Sequence, residues 1–264
     1  MQDYATYSPR VPWLPNLSKN KKANSRGTRN LTEDFKEKPL GILQLMSCRG
    51  WSSDAWAAVS LTLGLQELGH SVVLVCRKGV GENVAKRALD IGVRHVRFLS
   101  FKTGIAPKTW IRDVRGIIDL YNQYQAQIFH AHRGQDHWLA AATRCLITRT
   151  HSHPPILIRS RHILQPVRTH WPNRWLYNHA TTQTGTATDI IQRGFTKTRA
   201  FRKSQFVTLR GGVDTREFRP DLERNTVRTQ FKISEKDIVF GMSSSFIPLK
   251  GHMNALNALA QLRH

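Results

Sequence analysis

From Pro39 onward the chain alternates apolar runs of strand length with helical periods, and that alternation leaves few folds open. Leu40–Ser47 (LGILQLMS) is a short apolar run, and the loop CRGWSS follows it. Ala58, Leu61, Leu65 and Leu68 then recur at spacings of 3, 4 and 3, which predicts a helix with those four on one face. Ser53 suits its N-cap and Gly69 the position just past its end. Ser71–Cys76 (SVVLVC) reads as a second buried strand, so residues 40–76 form a β-loop-α-β unit. Such a unit lays its two strands parallel, because a parallel pair needs a crossover of this length.

The alternation continues to residue 212. Strands are expected at Val93–Ser100, Gln127–His132 and Pro155–Ser160. Helices are expected around Trp110, Val114, Ile117 and Tyr121, at Asp136–Ile147 and at Asn173–Ala180. Thr181–Ala187 reads as a polar strand or turn, Thr188–Gly194 as a helix closing on Gly194, and Gln205–Gly212 as the end of the series. The expectation is a Rossmann-like, doubly wound parallel α/β sheet over residues 38–212. Residues 1–37, rich in Asn, Lys, Ser, Pro and Arg without an apolar period, read as a disordered basic extension. Residues 213–234 read as a linker. Asp237–Ser244 reads as a new strand and His252–Leu262 as a new helix. One β-α unit cannot cover both of its own faces, so 235–264 reads as the truncated start of a second α/β domain.

Charge narrows the partners. The net charge is +22, of which residues 1–38 carry +4, 39–212 carry +16 and 213–264 carry +2. The excess sits on the expected sheet domain and attracts anions: nucleic acid, anionic lipid or phosphorylated substrate. No apolar run approaches the roughly 18 residues of a membrane span, and the N-terminus lacks the apolar core of a secretory signal. Cys48, Cys76 and Cys145 are scattered and odd in number, which suits reduced buried thiols in the cytoplasm rather than a disulfide frame or a zinc site.

Four segments carry candidate chemistry. In CRGWSSDAW, Gly50, Trp51 and Ser52 stand where a strand ends and a helix begins. A helix N-terminus with close backbone access favours a phosphate, although a serine-capped turn has the same sequence. There is no GxGxxG, which disfavours a dinucleotide. In HAHRGQDHW, His132, Arg133, Asp136 and His137 fall at the carboxyl end of a strand, where open α/β sheets place their ligands and are expected to face a cleft. They could equally be solvated polar groups at a strand end. His130 and His132 share a face but lack a third ligand, so no metal is expected. Arg159–Tyr177 interleaves arginines, Arg161 among them, with His and Trp. That mixture suits a nucleic acid, a phosphate or lipid surface, or a plain basic face. No RNP, KH, helix-turn-helix or zinc-finger pattern accompanies it, so nucleic acid is disfavoured. In SSSFIPLKGH, Lys250 precedes a helix start, where a point charge suits a phosphate.

In order, these segments resemble family 4 glycosyltransferases, enzymes of the two-domain GT-B architecture. Lys38–Gly79 resembles the opening strand, glycine-bearing loop and first helix. IFHAHRGQDHWLAA (Ile128–Ala141) is similar to the HxH region. RSRHI and NRWLYN fit the acceptor-side loops. LRGGVDTREFRPD (Leu209–Asp221) resembles the crossover between domains, and GMSSSFIPLKGH (Gly241–His252) the entry to the donor domain.

The resemblance implies that Gly50, Trp51 and Ser52 lie near donor phosphates or acceptor, that His132 contacts the sugar, and that Lys250 neutralises the donor diphosphate. It implies a retaining transfer without a side-chain nucleophile, cofactor or metal, from a nucleotide sugar to an envelope lipid or polysaccharide. The chain departs from the family twice. Serines 243–245 stand where the family has an arginine, and the later Glu-rich donor motif does not occur within 264 residues. The expected protein is therefore a cytoplasmic acceptor-side domain with the start of a donor domain, its activity impaired or partial. A separate chain completing the donor side, and peripheral contact with anionic membrane at its inner face, are the other expected partners. The competing reading is a non-catalytic anion- or partner-binding module, or an inactive fragment.

Overall fold

The computed structural model describes residues 38–102, 106–215, 218–219 and 225–262. The expectation for residues 1–37 lies outside the described residues. The chain divides into two units at Gly211/Gly212.

The first unit is one seven-stranded sheet. Its strands are β1 (Gly41–Met46), β2 (Ser71–Arg77), β3 (Val96–Leu99), β4 (Ala126–Ala131), β5 (Ile156–Arg161), β6 (Gln183–Thr186) and β7 (Phe206–Thr208), in the order β3-β2-β1-β4-β5-β6-β7. Every neighbouring pair is parallel. The crossover helices are α1 (Ser53–Glu67), α2 (Glu82–Asp90), α3 (Pro107–Tyr124), α4 (Gly134–Thr148), the short α5 (Trp171–Trp175), which runs into a π-helical turn at Leu176–Ala180, and α6 (Asp189–Thr196). Strands are added to one side of β1 as far as β3 and, from β4 onward, to the other, so the strand order reverses between β1 and β4.

All six residues of β1 are buried, as a strand covered on both faces requires. Its side chains alternate between two cores. Leu43 and Leu45 join Val73, Val75, Phe129 and the α3 and α4 residues Ile117 and Leu139 on one side. Met46 joins Leu74, Cys76, Ala55, Ala58, Val59 and the α2 residues Val84, Ala85 and Ala88 on the other. A third cluster of stacked rings, with Phe195 and Phe206 4.3 Å apart, closes the far edge.

Several expectations are corrected. The face that α1 buries is Ala55, Ala58, Val59, Thr62 and Gln66, while Leu61 and Leu68 are exposed. Small residues let the helix axis lie close to the sheet, and that close approach outweighs burial of the leucine stripe. The α1 N-cap is Ser52 rather than Ser53, its hydroxyl accepting from Ala55 N–H. Helix α2 escapes the apolar-period reading because its buried residues are few and mostly alanine. Helix α6 runs through Gly194 to Thr196.

Gly41 opens β1 under the end of α3. A β-carbon there would stand 2.5 Å from the Tyr124 carbonyl oxygen and 2.7 Å from that of Gln125. We expect Gly41→Ala to lower stability by about 1–3 kcal/mol through this overpacking. Urea unfolding of the variant beside the wild type measures it.

The second unit holds α7 (Asn225–Gln230), inside the expected linker, and α8 (His252–Gln261). Asp237–Ser244 is not a strand. Ile238 and Phe240 are exposed there, and no neighbouring strand among the described residues offers the ladder of hydrogen bonds a strand needs. Lys250 ends a single 3₁₀ turn before Gly251, whose φ of +72° lets the chain turn into α8.

Candidate functional site: a basic cavity at the carboxyl edge of the sheet

At the point where the strand order turns, the loop after β1, the end of β2 and the loop after β4 enclose a cavity of about 580 Å³. Crevices at such switch points are where doubly wound sheets bind ligands, because the flanking loops part to opposite sides there. Gly50, Trp51, Ser52 and Arg133 line it together with Arg49 and Arg77. Helices α1 and α4 both start at its wall, so two sets of unsatisfied helical N–H groups and two dipole ends bring partial positive charge.

Each of these residues has a local anchor. The Ser52 hydroxyl donates to Asp54 and lies 3.1 Å from Cys48 Sγ. Trp51 meets Trp56 edge-on at 6.0 Å, and the Arg87 guanidinium lies over its ring at 5.3 Å. A β-carbon on Gly50 or Gly134 would meet nothing within 4 Å, so the backbone at both positions borders open space. Arg133 donates to Asp54 at 2.8 Å, the ion pair that holds its side chain across the cavity mouth. Arg77 is pulled below the ordinary arginine value, first by partial burial and then by the neighbouring Arg49 and Arg133 charges. Three guanidiniums around one cavity give its lining a positive charge.

Behind the wall lies a buried polar layer. Asp136, 0% exposed, accepts backbone N–H bonds from Ser47 (3.2 Å), His132 (3.2 Å) and Arg133 (2.8 Å). It thus fastens the loop after β1 to the loop after β4. Burial raises its pKa against the pull of those bonds and of Arg159. His137 pairs with the Thr181 hydroxyl at 2.6 Å and meets Tyr177 edge-on. Asp136 and His137 are therefore part of the frame and not cleft-facing groups. Their charge or polarity is used up on neighbours that a strand end and a helix start bring within reach.

His132 is 3% exposed, with Nε2 2.6 Å from Gln44 Oε1 and its ring stacked on His130 at 4.3 Å. His130 in turn pairs with Ser160 Oγ at 2.8 Å. Burial first, then the surrounding imidazoles and Arg159, pushes His132 well below the ordinary histidine value. His130 falls to about 3, through burial and then Arg159 and His162. Both rings are neutral near pH 7. His132 Nδ1 is buried without a hydrogen-bond partner. Arg161 is also buried, its guanidinium bonded to the Gln165 carbonyl and lying 5.5 Å from the Phe195 ring centroid. It packs at the end of β5 and does not line the cavity.

The structure thus gathers Gly50, Trp51, Ser52 and Arg133 at one cavity, sets His132, Asp136 and His137 behind it, and leaves Arg161 apart. Lys250 belongs to the second unit. Arg49 and Arg77 are the site residues that sequence reasoning missed. The signal that could have found them is a basic residue at, or just past, the carboxyl end of a parallel strand. Cys76 is a buried thiol pushed up to about 12, by burial and then by Cys48. Among the described residues, no three His, Cys, Asp or Glu side chains are grouped to hold a metal, and no helix is long and apolar enough to cross a membrane.

No protein-family model matches the chain, and no curated protein matches it. Among solved structures, a glycosyltransferase from Rickettsia africae ESF-5 aligns with a TM-score of 0.69 at 16% identity, over 86% of this chain and 59% of that one. MurG from Acinetobacter baumannii aligns at 0.47 and 12% identity, over 70% of this chain and 50% of that one. A UDP-GlcNAc 2-epimerase from Neisseria meningitidis, solved bound to UDP-GlcNAc, aligns at 0.46 and 11% identity, over 63% and 45%. The first of these likenesses shows the fold, a Rossmann-like α/β sheet shared with a glycosyltransferase. The chain spans 59% of that structure's length.

Proposed function

We propose that the chain is the acceptor-side part of a retaining, family-4-like glycosyltransferase that takes a nucleotide sugar as donor and an envelope lipid or polysaccharide as acceptor. The observation that carries this reading is the cavity at the switch point of the sheet. It presents Arg49, Arg77 and Arg133, and no acidic residue is among the described residues lining it. Fixed cations of this kind hold an anionic substrate, and they stabilise the charge that develops when a sugar–phosphate bond breaks, without a metal. His132 is the residue proposed to meet the sugar. Its Nδ1 has no hydrogen-bond partner among the described residues but is buried behind the cavity wall, so contact with a sugar requires the wall to part. Lys250 is proposed to face the donor diphosphate. A separate chain that supplies donor-side residues, and peripheral contact of the basic surface with anionic membrane on the cytoplasmic side, belong to the same proposal.

The test is transfer of radiolabelled sugar from a panel of nucleotide sugars to phosphorylated and neutral glycan acceptors. It is run with the 264-residue chain alone and mixed with a separately expressed donor domain. Arg77→Ala and Arg133→Ala are each expected to lower transfer about 10- to 100-fold, the weight of one charge-assisted hydrogen bond. Transfer that is indifferent to both substitutions takes these arginines out of the site, and transfer absent in every combination while anions still bind favours the non-catalytic binding module instead.

A further inference from the structure

On the other side of Arg77 lies a second, more open cavity of about 460 Å³, over the ends of β2 and β3. Arg77 lines both. On the opposite side their walls are tied together, because the side-chain amide of Gln135 (first cavity) donates to the Lys102 carbonyl (second cavity). The two lobes adjoin at Arg77 along the carboxyl edge of the sheet.

The second lobe has its own cations: Lys78, Lys102 and Arg112. Arg112 is steadied by donating to Ser100 Oγ at 3.0 Å. The nearby acids are turned to other work. Buried Asp113 accepts from the Ser100 and Phe101 N–H groups at 2.9 and 2.8 Å, and Glu82 accepts from Gly79 N–H at 3.1 Å. Asp54 is paired with Arg133 and does not line the first lobe. Each lobe therefore gathers cations around its own volume, with Arg77 on the divide. One compact anion can neutralise the cations of one lobe only and leaves the other's repelling each other.

We propose that these two lobes bind a ligand bearing two separated phosphoryl groups, one group in each lobe with Arg77 between them. That the ligand is a glycan acceptor rests on the transferase reading above. That it binds does not.

The test is calorimetric titration of the full chain with inorganic phosphate, pyrophosphate and glucose 1,6-bisphosphate. Linking the two groups makes the second contact intramolecular, so the bisphosphate is expected to bind roughly 100-fold more tightly than inorganic phosphate. The double variant Lys102→Ala/Arg112→Ala should bring bisphosphate affinity down to that of inorganic phosphate. Arg77→Ala should weaken both ligands. Equal affinity for phosphate and bisphosphate overturns the proposal, and so does a double variant that binds bisphosphate like the wild type. Pyrophosphate binding more tightly than the bisphosphate puts both groups in one lobe and also overturns it. Binding to phosphatidylglycerol vesicles with none to either soluble phosphate overturns it too, and assigns the cations to a membrane. A chain that shows the two-group preference but transfers no sugar, alone or with a donor domain, upholds the two-lobe site and removes the transferase reading.

Discussion

Replacing Asp136 with alanine is expected to cost the first unit about 3–5 kcal/mol, enough to leave much of it unfolded at 37 °C. The carboxylate is fully buried and accepts three backbone N–H bonds. Those donors belong to Ser47, after β1, and to His132 and Arg133, after β4. Alanine leaves all three N–H groups in a dry interior without partners, at about 1–3 kcal/mol for each group that water cannot reach. It also removes the anion that offsets the buried Arg159 charge. Asparagine keeps one acceptor oxygen and loses the charge, so Asp136→Asn should recover part of the loss. Thermal unfolding followed by circular dichroism tests both, and an alanine variant that melts within a few degrees of the wild type rules out the bracing role. The consequence for function is direct. The two loops that Asp136 joins carry Gly50, Ser52 and Arg133, so weakening the brace widens the cavity before it unfolds the sheet.

The sheet was legible in the sequence because parallel strands covered on both faces need unbroken apolar runs. Leu40–Ser47 and Ser71–Cys76 have few other ways to bury themselves. What was not legible is how helices meet that sheet. In α1 only Ala58 of the expected stripe is buried; Leu61 and Leu68 stay exposed, and Ala55, Val59, Thr62 and Gln66 pack instead. Periodicity counts apolar side chains and takes no account of how closely a backbone can approach. The expected strand at Asp237–Ser244 failed for the opposite reason. An apolar run becomes a strand only beside a partner, and the described residues of the second unit supply none.

The site was half legible. Position along the chain put Gly50, Ser52, His132 and Arg133 beyond strand ends, and the structure sets these four at or just behind one cavity. Position cannot tell a cleft-facing polar group from a bracing one. Asp136 and His137 illustrate this, because their partners Ser47 and Thr181 are 89 and 44 residues away in sequence. Arg77 went unread because the apolar run of β2 ends at Cys76, and the residue that reaches the cavity is the next one.

Acid is expected to unfold the first unit well above the range where carboxylates alone would do so. His130, His132 and His137 are fully buried, and each has its pKa lowered by burial first and then by neighbouring positive groups. Arg159 is among those groups for all three. A histidine whose folded pKa is depressed stays neutral in the native state, while the unfolded chain takes up its proton near pH 6.5. The unfolded state therefore binds more protons as pH falls, and stability drops from about pH 6.5 downward, toward about 3 for His130. Three such groups set a ceiling of about 4 kcal/mol lost per pH unit. Even half of that, allowing for water entering the site, removes about 4 kcal/mol by pH 4.5, a large share of a domain's usual 5–15 kcal/mol. Asp136 works in the other direction. Its raised pKa lets the folded state take its proton before the unfolded chain does, which offsets part of the loss. Urea midpoints measured from pH 7.5 to 4.5 should fall steeply below 6.5 and be flat above it. His137→Gln, which keeps a polar group opposite Thr181, should make the fall shallower by about one proton. A midpoint that is level down to pH 5 would show that the three rings are protonated or hydrated in the native protein, and that the layer behind the cavity is wet.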